Sequence, residues 1–228
     1  NAVIAANKYG ADTVLRLVLV GSVAPDLQLG EFSAAAAKLF DLEPGYMYTR
    51  LANPTVAVFE NKLTALDGGS CGIACASGMS ATLLAVLNVC NAGDNIVSAR
   101  AIYGGTYNLF SITLKKYGIE CRFFDPDDTE ENIDALVDEK TKVIFAETLA
   151  NPTIVVLDFD KIASIAKRHK VLFMVDNTLV TPALFRPIEY GANIVLYSSS
   201  KYLDGHAVAL GGVIVDGGNF DFTATNRY

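Results

Sequence analysis

The chain has 228 residues, of which 51% are hydrophobic and 19% are charged, and its formal net charge is -7. This composition excludes an intrinsically disordered chain and supplies enough apolar residues for one large core. The negative charge, with no basic run, argues against nucleic acid or an anionic membrane surface as a partner.

The first part of the chain gives weak structural signals. Residues 1–32 have no clear hydrophobic period, and the apolar run from Val14 to Val20 is interrupted by Arg16. That run is too short to cross a bilayer and lacks the pattern of a secretory signal, so a cytoplasmic protein is expected. Residues 33–40 are rich in alanine and favour a helix.

From Gly69 onward, short apolar runs alternate with segments of helical spacing. The predicted strands are, in chain order, CGIACA, NIVSA, ECRFF, KVIFAE, VLFMVD and NIVLYS. The segment DFDKIASIAKRHK places Ile162, Ile165 and Ala166 on one helical face. This alternation predicts βαβ units and an α/β fold, in which a mainly parallel sheet forms the middle of three α/β/α layers.

The acidic segment DPDDTEENIDALVDE predicts one of the connecting helices. Glu130 and Glu131 would lie in its first turn, where carboxylates interact favourably with the helix dipole. Asp127 or Asp128 is expected to cap it.

The ends of the predicted strands carry the candidate chemistry, because ligands of open α/β sheets bind at the carboxyl ends of the strands. The residues in these positions are Ser77, Tyr103, Glu147 with Asn151, Asp176, and the run from Ser198 to Lys201.

Three of these residues suit a pyridine ring that carries an aldehyde. Asp176 follows VLFMV, so its carboxylate needs a cationic partner, and a protonated pyridine nitrogen would supply one. Lys201 could form an imine with the aldehyde, and Tyr103 could stack on the ring face.

Other residues suit a phosphate group. Gly78 and Met79 follow Ser77 between a strand and a helix, so their backbone N–H groups can bind an anion at the helix N-terminus. Ser198 and Ser200 would add hydroxyl groups. Together with the ring contacts, these residues form a binding set for pyridoxal 5'-phosphate.

Each residue also has a purely structural interpretation. Asp176 and Ser77 could be helix caps, Tyr103 a core residue, the serines turn formers, and Lys201 a solvated lysine in a turn. The occurrence of all of them at strand ends in one chain favours the cofactor site.

Six ordered motifs resemble those of the Cys/Met-metabolism family of pyridoxal-phosphate enzymes, from about Ser33 to Tyr228. They are YTRLANPT, ASGMSA, IYGGTYNLF, AETLANPT, MVDNT and YSSSKYLDGH. The resemblance implies a fold-type I large domain over residues 33–228, preceded by a poorly matched N-terminal arm, residues 1–32.

The resemblance also implies roles for individual residues. Lys201 would be the Schiff-base lysine, and Tyr103 would stack on the ring and assist proton transfer. Asp176 would hold the pyridine nitrogen, and Asn151 would contact the ring 3-oxygen. The remaining implied cofactor-binding residues in the chain's own subunit are Gly78, Met79, Thr178, Ser198 and Ser200.

Tyr48 and Arg50 match family residues that bind the cofactor phosphate of a neighbouring subunit. Arginine suits this task because its planar fork can contact two phosphate oxygens. The resemblance therefore implies at least a dimer, and a dimer of dimers is expected.

Two positions bear on the subfamily. Methionine γ-lyases resemble one another in having cysteine where this chain has Gly105, and Val208 stands where lyases and cystathionine synthases usually have aspartate. The combination is most similar to O-acetylhomoserine sulfhydrylases, which implies γ-replacement of acetate by sulfide or a thiol. The sulfur donor could also be a sulfur-carrier protein.

Several alternatives stay open. They are a methionine γ-lyase, a cystathionine γ-synthase or lyase, and a non-enzymatic module that binds a phosphorylated ligand. No metal site is predicted, because the cysteines form no CxxC pair and only His169 and His206 are present. The family's C-terminal domain, with the arginine for the substrate α-carboxylate, is expected beyond residue 228.

Overall fold

The computed structural model describes residues 2–9, 12–19, 46 and 48–228, in two compact units, Asn1–Val58 and Phe59–Tyr228. In the first unit, strands β1 (Ala2–Tyr9) and β2 (Asp12–Leu19) form an antiparallel hairpin. The sequence did not predict this hairpin, because neither strand alternates cleanly between apolar and polar residues. The helix expected at residues 33–40 and the domain boundary expected at residue 32 lie outside the described residues.

The second unit contains a seven-stranded sheet. Its strands are β3 (Cys71–Cys75), β4 (Asn95–Ala99), β5 (Glu120–Phe124), β6 (Thr141–Glu147), β7 (Leu172–Asp176), β8 (Ile194–Tyr197) and β9 (Gly212–Asp216). The strand order is β3-β9-β8-β7-β6-β4-β5, and only β9 runs antiparallel to its neighbours among these strands. This arrangement confirms the predicted α/β class with a mainly parallel sheet.

Helices connect the strands. They are α1 (Pro54–Asp67), α2 (Gly78–Val89), α3 (Gly104–Asn108), α4 (Leu114–Lys116), α5 (Glu130–Asp134), α6 (Phe159–His169) and α7 (Thr181–Leu184). A π-helical turn, Leu109–Thr113, joins α3 to α4, and 3-10 turns form at Pro187–Tyr190 and Phe222–Ala224. No helix in the described part of the chain is both long and apolar enough to cross a membrane.

The strand order contains one topological switch point. The connection from β4 leads outward to β5, whereas the connection from β6 leads the opposite way, to β7 and then β8. Because such crossovers are right-handed, the two sets of helices cover opposite faces of the sheet. The carboxyl ends of β4 and β6 therefore flank the crevice in which ligands of such sheets bind.

Helix α6 shows how the sequence directs this packing. Asp158 caps it by accepting a hydrogen bond from the Lys161 N–H at 3.1 Å. The predicted apolar face is confirmed, since Ile162 and Ile165 are fully buried in the core. Burial of each such side chain contributes about 1.5 to 3 kcal/mol of hydrophobic stabilisation.

The expected cap of the acidic helix was wrong. Thr129 caps α5 by accepting a hydrogen bond from the Asn132 N–H at 3.3 Å. The Asp128 carboxylate instead accepts from the Asp125 N–H at 2.7 Å and closes the preceding turn. The helix thus begins at Glu130, one residue after the threonine.

Candidate active site

The turn between β3 and α2 leaves two backbone donors available. The Ser77 hydroxyl accepts from the Ser80 N–H at 3.1 Å, and the Ser80 hydroxyl accepts from the Ser77 N–H at 2.8 Å, which forms a capping box. Neither this box nor the ladder of α2 uses the N–H groups of Gly78 and Met79. Two donors at a helix N-terminus are therefore directed at one place, which suits an anion.

Gly78 packs directly against the strand end that carries Ser198. A Cβ atom on Gly78 would stand 2.5 Å from the Ser198 Cβ atom and 3.0 Å from its hydroxyl oxygen. Only glycine fits this close approach without a shift of the backbone. The contact brings the backbone N–H groups at the start of α2 close to the serine hydroxyls after β8, which are the two predicted sets of phosphate ligands.

A continuous set of hydrogen bonds leads from Ser198 to Asp176. The Ser198 N–H donates to the Thr178 hydroxyl at 2.8 Å, and the Thr178 N–H donates to the Asp176 carboxylate at 2.9 Å. Asp176 is not a helix cap, since the next helix, α7, starts at Thr181. The purely structural interpretation of this aspartate is therefore not supported.

Asp176 is partly buried at the end of β7. Burial raises its pKa above the ordinary value, although hydrogen bonds from Thr178 oppose that shift. A cationic group beside this carboxylate would stabilise its ionised form. The site thus has the electrostatic character expected of a partner for a pyridinium nitrogen.

Glu147 is a site residue to which the sequence assigned no role. It ends β6, is 7% exposed, and is the register partner of Asp176 on β7. One carboxylate oxygen accepts from the Tyr103 N–H at 2.7 Å and the other from the Asn151 N–H at 3.1 Å. Burial, together with the charge of Asp176, raises the pKa of Glu147 to about 7, and the two N–H donors oppose that rise.

Tyr103 immediately precedes α3, at the carboxyl end of β4. Its side chain is 50% exposed, so it is not the core residue of the structural interpretation. Near it, the Thr106 hydroxyl lies 3.9 Å from the Met79 sulfur atom, which connects α3 with the start of α2.

Lys201 lies in an exposed turn just after β8. Its backbone N–H donates to the Ser198 carbonyl at 3.2 Å, and the Gly205 N–H donates to the Lys201 carbonyl at 2.8 Å. The Ser200 hydroxyl accepts from the Gly211 N–H at 2.9 Å. This last bond fixes the lysine turn to the segment that leads into β9.

A buried network of hydrogen bonds fixes the segment that runs from the end of β7 towards α7 and carries Asp176 and Thr178. The Tyr197 hydroxyl donates to the Asp67 carboxylate at 2.7 Å, and the Asn177 side chain donates to the Tyr197 oxygen at 3.1 Å. Asn177 stands between Asp176 and Thr178, so the network holds the inner side of the same short segment. Asp67 and Asn177 are fully buried.

The structure thus brings nine of the eleven predicted site residues to the carboxyl edge of one sheet. They are Gly78, Met79, Tyr103, Asn151, Asp176, Thr178, Ser198, Ser200 and Lys201. Tyr48 and Arg50 belong to the first unit, where both are exposed and the Arg50 guanidinium carbon lies 5.2 Å from the Tyr48 ring centroid.

The residues present fit pyridoxal phosphate. The start of α2 offers donors for the phosphate, and the Asp176 carboxylate suits a cationic ring nitrogen. Ser198 and Thr178 connect these two places, and the turn that carries Lys201 follows Ser198. The fold and this edge define a pyridoxal-phosphate-dependent protein of fold-type I. The family model described as "Cys/Met metabolism PLP-dependent enzyme" matches residues 30–227, and the chain belongs to that family, whose cofactor is pyridoxal phosphate.

Known relatives agree with this assignment. The chain is 47% identical over 190 residues to a homocysteine/cysteine synthase from Kluyveromyces lactis, which covers 82% of this chain and 43% of that protein. It is 45% identical over 188 residues to an O-acetyl-L-homoserine sulfhydrylase from Leptospira meyeri, with 82% and 42% covered. The chain therefore spans less than half the length of these curated relatives.

A solved structure shows the same fold. A Campylobacter jejuni protein named as an O-acetylhomoserine (thiol)-lyase superposes with a TM-score of 0.81 at 40% identity. The match covers 89% of this chain and 50% of that protein, whose crystal structure contains N'-pyridoxyl-lysine-5'-monophosphate.

Proposed function

We propose that the protein catalyses γ-replacement on O-acetyl-L-homoserine with sulfide or a thiol. The bond between Cγ and the ester oxygen breaks, a Cγ–S bond forms, acetate leaves with the bonding electrons, and the sulfur nucleophile releases its proton. Sulfide gives homocysteine, and methanethiol gives methionine. The main support is that one sheet edge carries nine of the eleven residues proposed to bind the cofactor, in a chain similar to named sulfhydrylases.

Lys201 is the proposed proton carrier. When bound, pyridoxal phosphate supplies an electron sink that stabilises negative charge on the substrate carbons. The Lys201 amine, on its exposed turn, takes a proton from the substrate α-carbon and moves protons at the β-carbon. Tyr103 would stack on the ring and assist proton transfer to or from the incoming nucleophile.

The other residues bind and orient. The N–H groups of Gly78 and Met79 and the hydroxyls of Ser198 and Ser200 hold the phosphate. Asp176 balances positive charge on the ring nitrogen, and its contact with Thr178 fixes its direction. The Asn151 side chain would contact the ring 3-oxygen.

The active protein is proposed to be at least a dimer and to assemble as a dimer of dimers in the cytoplasm. Tyr48 and Arg50 would bind the phosphate in the neighbouring subunit, which their exposure in this chain permits. The small-molecule partners are an amino-acid ester and sulfide or a thiol, and a sulfur-carrier protein is a second candidate donor.

A comparison of substrates tests the reaction type. The purified protein is supplied with O-acetyl-L-homoserine and sulfide, with O-acetyl-L-homoserine and cysteine, or with methionine alone, and Lys201→Ala serves as the inactive control. Homocysteine and acetate from the first mixture support the proposal. Faster formation of cystathionine from the second, or of 2-oxobutanoate and methanethiol from methionine, would identify a cystathionine synthase or a γ-lyase instead. No turnover and no cofactor binding would favour a non-enzymatic module.

A further inference from the structure

Glu147 accepts hydrogen bonds from two backbone N–H groups, and the proposed reaction gives it no role. Its two carboxylate oxygens accept hydrogen bonds from the N–H groups of Tyr103 and Asn151, which lie 44 residues before it and 4 residues after it. Tyr103 follows β4, and Asn151 follows β6, so the contacts span the switch point of the sheet. One buried side chain thus connects the two loops that flank the ligand crevice.

The two loops carry the residues expected on the cofactor ring. Both contacts use backbone atoms, so the side chains of Tyr103 and Asn151 stay free, and both are exposed. A carboxylate suits this arrangement because it offers an acceptor on each oxygen, whereas a glutamine side chain offers only one. Its ionised form also makes stronger bonds to N–H groups than a neutral acceptor does.

Burying Glu147 beside Asp176 is unfavourable for the protein without a ligand. The two residues are register partners on adjacent strands, and their like charges oppose simultaneous ionisation. If Glu147 served only to join the two loops in the folded protein, an acidic side chain next to Asp176 would not be needed. A cation bound at Asp176 would reduce that repulsion and favour the ionised Glu147 that both N–H groups bind.

We propose that Glu147 is a positioning residue, which holds the backbone at Tyr103 and Asn151 where their side chains contact the ring of the cofactor. This inference rests on the proposed function, because it assumes that Tyr103 and Asn151 face pyridoxal phosphate. Glu147 itself need not touch the cofactor. It acts on the ring contacts through its hydrogen bonds to the backbone N–H groups of Tyr103 and Asn151.

The test compares Glu147→Gln with a matched control, Asp138→Asn. The Asp138 carboxylate also uses both oxygens, accepting from the Asn95 side chain at 2.8 Å and pairing with Arg122 at 2.8 Å. It precedes β6 and therefore lies at the opposite edge of the sheet. Each holoprotein is examined for cofactor affinity by absorbance titration, for visible circular dichroism per bound cofactor, for kcat and KM separately, and for thermal unfolding.

Glu147→Gln is expected to bind pyridoxal phosphate about tenfold more weakly, because one N–H loses its acceptor. It should also show a reduced visible circular dichroism band and a lower kcat. Asp138→Asn should lower the unfolding temperature but keep the circular dichroism per bound cofactor and kcat. Glu147→Asp, which is one methylene shorter and cannot reach both N–H groups, should resemble Glu147→Gln.

Several outcomes would overturn the inference. In one, the wild type binds the cofactor and Glu147→Gln keeps the wild-type affinity, circular dichroism and kcat. In another, neither Glu147 variant folds although Asp138→Asn does, which would make Glu147 a residue of the fold alone. Failure of the wild type to bind pyridoxal phosphate would instead contradict the proposed function, and with it the positioning role of Glu147.

Discussion

The Tyr103 ring lies directly against Gly105. A Cβ atom on Gly105 would stand 2.5 Å from Cε1 of that ring and 3.2 Å from both Cδ1 and Cζ. At Gly104, by contrast, an added Cβ atom would meet no heavy atom within 4 Å. The missing side chain at residue 105 is therefore what permits this position of the ring.

The two glycines give a matched pair of variants for the role of Tyr103. Gly104→Ala and Gly105→Ala should each keep or raise stability, since alanine favours a helix by up to about 1 kcal/mol over glycine. Gly105→Ala displaces the ring, so its kcat/KM should fall on the order of tenfold to a hundredfold. Gly104→Ala should keep wild-type kcat/KM. Equal steady-state kinetics for the two variants would mean that the position of the Tyr103 ring is unimportant.

Borohydride reduction of the holoprotein should attach the pyridoxyl group to Lys201, because the turn after β8 presents this lysine at the edge where the phosphate ligands lie. Peptide mapping by mass spectrometry locates the label. Lys201→Ala should still bind the cofactor non-covalently through the phosphate contacts, but lose activity. A label on another lysine would remove Lys201 from its proposed role.

Asp176→Asn should impair catalysis far more than folding. The amide has a similar shape and can still accept from the Thr178 N–H, but it cannot stabilise a cationic ring nitrogen. Loss of that charge is expected to lower kcat on the order of a hundredfold or more. Urea unfolding of the cofactor-free protein should show no loss of stability, because the charged group is desolvated in the wild type. Near-native turnover, or loss of the fold, would contradict this assignment.

The site is predicted to be shared between subunits, so two inactive variants should complement each other. Arg50→Ala would lack a phosphate contact supplied to the neighbour, whereas Lys201→Ala would keep that contact and lack the amine. Mixed and re-equilibrated dimers should recover part of the activity, at most about a quarter in a random mixture with one intact site per hybrid dimer. Each variant incubated alone is the control. An active monomer, or no recovery in verified hybrids, would refute the shared site.

Stability should depend on pH through Asp67. Burial raises the pKa of this carboxyl group from 3.8 to about 6, although the Tyr197 hydrogen bond and the charge of Arg186 oppose the rise. The folded protein therefore keeps a proton that the unfolded chain loses between about pH 4 and pH 6, so Asp67 lowers stability as pH rises through this window.

Asp67→Asn should remove that pH dependence. The asparagine oxygen can still accept from Tyr197, and no charge is buried. The difference in free energy of unfolding between variant and wild type should shift in favour of the variant by about 1 to 2 kcal/mol from pH 5 to pH 7.5. Urea denaturation at both pH values measures it. A difference that stays constant with pH would contradict the proposed titration.

The sequence predicted the parallel part of the sheet because each strand from β3 to β8 is a short apolar run followed by a turn or a helical segment. It missed β9, which follows the stretch GHAVALG rather than a helix. It also missed α1, whose buried residues include the polar Thr64 and Asp67 and therefore give little hydrophobic period.

The positions of the candidate site residues were predictable where their side chains lie at strand ends. Asp176 directly follows an apolar run, and Lys201 follows another after three serines, whereas their roles stay predictions. The function of Glu147 could not be predicted, because it depends on hydrogen bonds to backbone atoms of distant residues, which carry no signal in residue type. By contrast, the interpretation of Ser77 as a helix cap is confirmed, and Ser80 completes its capping box.

The position of β9 has a consequence for the order in which the protein matures during synthesis. Strand β3, which leads into the anion-binding turn, pairs in the sheet with β9, and Cys71 lies opposite Asp216. A nascent chain can therefore assemble β4 to β8 from local crossovers while β3 still lacks its partner. Only when Gly212–Asp216 has emerged from the ribosome can β3 be joined to the rest of the sheet. We therefore expect capture of the cofactor phosphate to be a late event, and until then the unpaired edges of β3 and β8 should be open to aggregation.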